Sequence, residues 1–185
     1  KGIVARTDGL GGVAVTASSV TATAGNAIDA QASGFGVSDA GVTVTTLAGG
    51  VISANAGNGI LVQNSLKGTG GITVLNDAAI KVSGGTGIFA VSNQGTGDIK
   101  ITSNGAISSG TGGAGTLNTG ILAAMNPGAN GNVIVNLNAD IGSATYVATG
   151  TGISATSGGS NNLGNIDVNV TKASIFAVGN GINAQ

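Results

Sequence analysis

A short unit recurs along the chain at intervals of 25 to 33 residues, and this repeat constrains the fold more than any other feature. Each copy has a small residue, an isoleucine, any residue, and then a small residue or valine, as in Gly59-Ile60-Leu61-Val62. The isoleucines of the successive copies are Ile3, Ile28, Ile60, Ile88, Ile121, Ile153 and Ile182. A self-similar period of about 30 residues is typical of solenoids, in which each repeat buries its apolar face only against its neighbours.

Two further strand patterns lie between successive copies of this unit. The second strand alternates β-branched residues with others, and its copies begin at Val13, Val42, Ile72, Ile99, Val133 and Ile166. The third strand has copies beginning at Val20, Ile52, Ile80, Ile107, Ile141 and Ile175. Alternation with period 2, bounded by Gly, Asn, Ser and Thr, indicates strands. We therefore predict an all-β chain that forms a single-stranded parallel β-helix, with three short strands per turn and about six turns.

The composition suits a narrow core between closely spaced backbones. Only 2% of the residues are aromatic and 7% are charged, whereas 36 are glycine. A mean hydropathy of +0.39 and a net charge of −1 are the reverse of the composition of disordered chains. The alternative is a β-sandwich with many short strands, but a sandwich has no reason to repeat one three-strand unit.

The turn that precedes the repeated isoleucine is the most regular connection. The residue two positions before each isoleucine is an asparagine or a threonine, at Asn26, Asn58, Thr86, Thr119, Thr151 and Asn180. In a stacked solenoid these residues form one ladder, whose amides and hydroxyls can bond to one another and to the turn backbone. We interpret this Asn/Thr ladder as structural.

An apolar group is predicted on the outer wall. If each repeated isoleucine points inward, the residue after it points outward, and so does the residue two positions further on. In the middle turns these outward positions hold Leu61, Phe89, Val91, Leu122 and Ala124. Such a group suggests a partner or assembly surface. The alternative is that a neighbouring loop, either 109–119 or 125–132, folds over it.

The remaining large side chains are few and scattered. Phe35 and Tyr146 fall in connections of variable length between strands, and Phe176 follows a third-strand isoleucine. Variable loops on a regular scaffold are where binding residues are commonly found. Phe89 is the one aromatic residue that falls within the predicted apolar group, so it is the best candidate for a side chain that anchors a binding partner.

The sequence predicts no catalytic, cofactor or metal site. The chain has no His and no Cys, and its acidic residues are seven Asp at different registers. A nucleophilic triad needs a base, and glycoside hydrolysis needs two carboxylates about 5–10 Å apart. Asp167 shares a column with Lys100, but Ile134 lies on the turn between them. The segment Gly95-Thr96-Gly97-Asp98 is not reiterated as calcium-binding repeats are, so calcium is not expected.

Nucleic acid and anionic membranes are disfavoured as partners. The six basic residues, Lys1, Arg6, Lys67, Lys81, Lys100 and Lys172, are scattered, and such ligands need clustered positive charge. No apolar run reaches the roughly 18 residues of a membrane helix. The repeat is already under way at the first residue, so we expect residues 1–185 to be one segment of a longer solenoid. Uncapped ends of this kind favour self-association.

Three consecutive segments carry a resemblance to a known family. They are Gly87-Ile88-Phe89-Ala90, Gly97-Asp98-Ile99-Lys100-Ile101 and Ala106-Ile107-Ser108-Ser109. This succession, which recurs over essentially the whole chain, resembles the passengers of bacterial autotransporters. The resemblance implies a right-handed, three-sided β-helix that is displayed on the bacterial cell surface after export through an outer-membrane barrel carried elsewhere in the natural chain. It also implies a role as an adhesin or a host-interacting toxin.

We therefore expect a structural and adhesive passenger segment, with a host-cell or matrix protein, or a second copy, as the partner. The alternative is a polysaccharide-acting β-helix enzyme or a phage tail-fibre segment. The enzyme would need clustered Asp with Lys or Arg. An ice-binding solenoid would need regular threonine columns, and the outward column of the second strand is too irregular for that.

Overall fold

The repeated β-branched pattern forms 17 short strands in the computed structural model, which describes residues 2–34, 36–110, 116–158 and 162–185. Within these ranges the chain contains no helix. Every pairing between strands is parallel. Parallel pairing between copies about 30 residues apart requires the chain to travel once around before it meets itself, which is the geometry of a solenoid.

The strands, numbered in chain order, form three sheets. The first sheet has seven strands: β1 (Ile3–Thr7), β4 (Ile28–Ala32), β7 (Ile60–Asn64), β10 (Gly85–Ser92), β13 (Leu117–Met125), β15 (Ile153–Ser157) and β17 (Ile182–Ala184). The second has six: β2 (Val13–Ala17), β5 (Val42–Thr46), β8 (Ile72–Asn76), β11 (Ile99–Ser103), β14 (Val133–Leu137) and β16 (Ile166–Val170). The third has four: β3 (Val20–Ala22), β6 (Val51–Ala54), β9 (Ala79–Val82) and β12 (Ile107–Ser109).

The strands of the third sheet give way to single bridges toward the C-terminal end of the rod. Beyond β12, the predicted third strands at Ile141 and Ile175 are reduced to single bridges, from Ile107 to Ile141 and from Ile141 to Ile175. The register is nevertheless kept, because these isoleucines still stack in the same column. The arrangement confirms the predicted all-β parallel solenoid with three strands per turn, and it is incompatible with a sandwich.

The core is a set of continuous columns of Ile, Val and Ala. Ile60, Ile88, Ile121 and Ile153 occupy equivalent positions on consecutive turns and are fully buried. Each column therefore packs like residues on one another about 4.8 Å apart. Full burial of each isoleucine side chain contributes roughly 1.5–3 kcal/mol of stability. Ile182, on the last strand of the first sheet, is 45% exposed.

A buried polar column interrupts this apolar interior at the corner between the second and third sheets. Thr46, Asn76 and Ser103 end consecutive strands and are fully buried. Thr46 Oγ1 donates to Asn76 Oδ1 at 2.7 Å, and Asn76 Nδ2 donates to Ser103 Oγ at 3.0 Å. The same side chains satisfy turn backbone, since the N–H of Ala78 donates to Thr46 Oγ1 and Ser103 Oγ donates to the carbonyl of Gly105. Buried polar groups are tolerated where every member finds a partner in this way.

The corner at Gly105 also requires a very close approach between turns. A Cβ atom at this position would overlap the carbonyl oxygen of Ala78 on the preceding turn. The N–H groups of Asn104 and Gly105 both donate to the carbonyl of Asn76, at 2.7 and 3.1 Å. Glycine is therefore required here by contact between backbones.

Candidate functional site

The five predicted outward residues lie together on the outer face of the first sheet, and we call them the apolar patch. Phe89 pairs in register with Leu61 on one side and Leu122 on the other, and Val91 pairs with Ala124. All five are half-buried, while Ile88 and Ala90 beside Phe89 on the same strand are fully buried. Phe89 therefore points away from the core and presents part of its ring on the wall of the rod.

The apolar patch is flanked by polar side chains in the same columns. On one side lies Asp29, which is only 7% exposed and which accepts hydrogen bonds from Arg6 Nη2 at 2.8 Å and Gln31 Nε2 at 2.7 Å. On the other side the columns continue with Ser154 and Thr156. The apolar group thus extends over three consecutive strands and ends at polar residues in both directions.

The two loops expected as possible covers of the apolar patch are those at 109–119 and 125–132. Residues 111–115, in the middle of the loop at 109–119, lie outside the described residues, as does Phe35. In the other loop, the N–H of Asn130 donates to the carbonyl of Gly95, and Asn126 Nδ2 donates to Asn93 Oδ1. These contacts join that loop to the corner of the preceding turn. Tyr146 is 47% exposed and lies away from the apolar patch, in the connection after Ile141.

The predicted Asn/Thr ladder lies at the corner that leads into the first sheet. Asn26 Oδ1 accepts from the backbone N–H of Asn58 at 2.9 Å, and Asn58 Oδ1 accepts from the N–H of Thr86 at 3.0 Å. Thr86 pairs in register with Thr119, and the ladder continues at equivalent positions of the next turns through Thr151 and Asn180. The side chains of Asn26 and Asn58 thus satisfy backbone donors of the following turn.

The aspartates make the same kind of contact. Asp29 bonds to Arg6 on the preceding turn, and five others accept hydrogen bonds from residues of the following turn. The pairs are Asp8 with Ser33, Asp39 with Thr69, Asp77 with Asn104, Asp98 with Asn132, and Asp140 with Ser174. A carboxylate engaged in this way cross-links two turns of the rod.

Asp98 is the most heavily engaged of these carboxylates. Its Oδ1 accepts from the backbone N–H and the side-chain amide of Asn132, at 2.9 and 3.0 Å, and its Oδ2 lies 3.2 Å from Lys100 Nζ. Partial burial raises the pKa of Asp98, but these donors and the lysine charge outweigh it and leave the pKa below its usual value. The pKa of the exposed Asp39 is also lowered, mainly by the hydroxyl of Thr69. The register keeps Asp167 apart from Lys100, with Ile134 between them as predicted.

The lowered pKa values make the stability of the rod sensitive to acid. A carboxyl group whose pKa falls on folding stabilises the fold above its unfolded pKa of about 3.9, and that stability is lost as the pH drops through the lower folded value. We expect the thermal midpoint, followed by circular dichroism, to fall between pH 5 and pH 2. Asp98→Asn should make this loss smaller, because the variant has no charge to lose. Asp167→Asn is the control, because the Asp167 carboxylate makes no hydrogen bond or ion pair within the described residues, and this variant should lose as much stability in acid as the parent chain. Equal acid sensitivity in both variants would contradict this assignment.

Two concave regions flank the corner between the first and second sheets. A groove of about 330 Å³ on the second sheet is lined mainly by glycines and threonines, with Asp98 and Lys100 at one end. A larger cavity of about 550 Å³, which we call the corner cavity, is lined by Ser33, Gly34, Gly36, Val37, Ser65, Lys67 and Gln94. Sequence reasoning missed the corner cavity, because its residues come from connections that do not follow the repeat.

Within the described ranges, the structure contains no cluster of three or more His, Cys, Asp or Glu side chains that could hold a metal ion. In the same ranges it contains no helix long and apolar enough to cross a membrane. No family model, no curated protein and no solved structure matches this chain.

Proposed function

We propose that this chain is a stalk segment of a surface-displayed passenger of the autotransporter type, and that it contributes to adhesion to a host-cell or matrix protein. The observation that supports this most directly is the contiguity of the apolar patch, whose five half-buried side chains lie on three adjacent strands of one wall. Contiguous apolar patches on a protein surface commonly mark interaction sites, and aromatic residues, Phe included, are enriched in the cores of protein interfaces.

The contacts of the polar side chains support a scaffold over an enzyme. General acid and base catalysis needs carboxyl groups free to exchange protons with a substrate. Six of the seven aspartates instead bond to a neighbouring turn, and the most engaged of them, Asp98, has a lowered pKa. Hydrogen bonds from these carboxylates to neighbouring turns stabilise the rod, as the function of a stalk requires.

Surface display is tested with an antibody raised against the folded chain and applied to the bacteria that produce it. We expect intact cells to be stained as strongly as cells with a permeabilised outer membrane, and external protease to remove the signal. An antibody against a periplasmic protein serves as the control for intact envelopes. Staining that requires permeabilisation would place the chain inside the cell and overturn the proposal.

The adhesive role predicts a specific effect of Phe89→Ala. Loss of an aromatic anchor should weaken binding to host cells or matrix proteins by about 2 kcal/mol, which is roughly 30-fold in Kd. The purified chain should remain folded, because the ring lies outside the core. Val178→Ala is the matched control, since Val178 is 71% exposed and lies outside the apolar patch. Unchanged binding together with a lowered thermal midpoint would mean that the apolar patch only stabilises the rod.

A further inference from the structure

We propose that the corner cavity binds a small sugar that carries one carboxylate, such as a hexuronate. The cavity is formed by the first-to-second-sheet connections of three consecutive turns, which supply Ser33, Ser65 and Gln94 among its lining residues. Its volume of about 550 Å³ lies in the range of small-molecule sites, which is roughly 300–1,000 Å³. Binding here would be an activity separate from the proposed contact between the apolar patch and a protein.

The lining groups provide hydrogen-bond donors that the fold does not use. The ion pairs in the described part of the chain are Arg6 with Asp29 and Lys100 with Asp98, so neither involves Lys67. The hydroxyl oxygen of Ser65 accepts from Gln63 Nε2 at 3.1 Å and from Asn93 Nδ2 at 2.9 Å. With both lone pairs occupied, the Ser65 hydroxyl has only its proton left to offer. The side-chain amide of Gln94 makes no hydrogen bond within the described residues and adds two further N–H donors.

This set of donors matches a carboxylate better than a phosphate. Lys67 supplies one positive charge, which one carboxylate balances. A phosphate group carries a charge of about −1.5 to −2 at pH 7, so the single lysine would leave it only partly balanced. The described residues that line the corner cavity include no acidic side chain that would repel a carboxylate; Asp8, which bonds to the lining residue Ser33, accepts its hydroxyl at 2.8 Å.

The remaining lining residues suit a sugar ring. Val37 is 73% exposed and offers an apolar surface to the C–H face of a pyranose. Ser65 and Gln94 can donate to the ring hydroxyls while Lys67 holds the carboxylate. The neighbouring threonine groove lacks this combination, because its lysine, Lys100, is already paired with Asp98. The corner cavity is therefore where an acidic sugar finds both charge and hydroxyl partners.

The test is calorimetric or NMR titration of the purified chain with methyl galacturonoside. Methyl galactoside tests the need for the carboxylate, and sodium acetate tests the need for the sugar. We expect saturable binding of the acidic sugar in the millimolar range, and at least tenfold weaker binding of both controls. Lys67→Gln should weaken binding of the acidic sugar about tenfold. Lys81→Gln, on the outer face of the third sheet, should leave it unchanged.

Absence of saturable binding, or equal binding by the parent chain and Lys67→Gln, would overturn the inference. Equal affinity for the two methyl glycosides would also overturn it, since it would assign a neutral sugar. The titration uses the isolated chain and small molecules, so its result is independent of surface display and of binding through Phe89. Failure of the stalk proposal and failure of this one can therefore be told apart.

Discussion

Asn76→Ala should lower the free energy of unfolding by about 3 kcal/mol, because Asn76 is the central member of the buried Thr46–Asn76–Ser103 column. The substitution leaves the Thr46 hydroxyl proton without its acceptor inside the rod. An unpaired buried polar group costs about 1–3 kcal/mol, and the space vacated by the amide adds a cavity penalty. Denaturation by guanidinium chloride, followed by circular dichroism, measures the change.

Asn138→Ala is the matched control for this prediction. Asn138 also donates to a residue of the neighbouring turn, Asn104, at 2.7 Å, but it is exposed. Water replaces the lost partner there, so the expected change is below about 0.5 kcal/mol. If the two alanine variants lose similar amounts of stability, the buried column has no special role and the idea is wrong.

Gly105→Ala should destabilise the rod by about 3 kcal/mol for a steric reason. The new methyl group would overlap the Ala78 carbonyl oxygen of the preceding turn, and a backbone atom cannot rotate away as a flexible side chain can. Overpacking of this kind typically costs 1–3 kcal/mol and occasionally more, because the spacing between two turns must open. The same denaturation experiment measures the loss.

Gly11→Ala tests whether the effect is specific to the close approach. A Cβ atom on Gly11 would have no neighbour within 4 Å, and its backbone is not left-handed. Alanine restricts the unfolded chain more than glycine does, so this variant should be unchanged or slightly stabilised, by up to about 1 kcal/mol. A substantial loss at Gly11, or none at Gly105, would show that the contact between turns does not limit stability.

Strand positions could be predicted closely from the sequence, whereas corner contacts could not. Alternation with period 2 and in-register stacking determine which residues share a column, so the outward column through Leu61, Phe89 and Leu122 follows from the isoleucine spacing alone. The corners do not repeat in length or composition. The Asp98–Asn132 bond and the corner cavity around Lys67 depend on the path of individual turns, which periodicity does not specify.

The buried polar column shows what a stricter use of the same alternation could have found. In β8, Ile72 and Val74 point inward, and Asn76 is the next position on the same face. Counting inward positions without regard to polarity would have placed this asparagine inside. Considering only apolar residues as core candidates overlooked it. The five members of the apolar patch are half-buried, and alternation predicts that they point outward without specifying how much of each side chain is exposed.

The parallel pairing between adjacent turns has a consequence for how such a chain changes over evolutionary time. Each strand bonds only to its counterparts on the two neighbouring circuits, and the number of residues per circuit varies between 25 and 33 without loss of register. Duplication or loss of one circuit therefore creates a junction of a type already present elsewhere in the rod. Each such event alters the reach of the rod by about 4.8 Å. Recombination between repeats can thus adjust the distance between whatever lies at the two ends in small, equal steps, with little cost to folding.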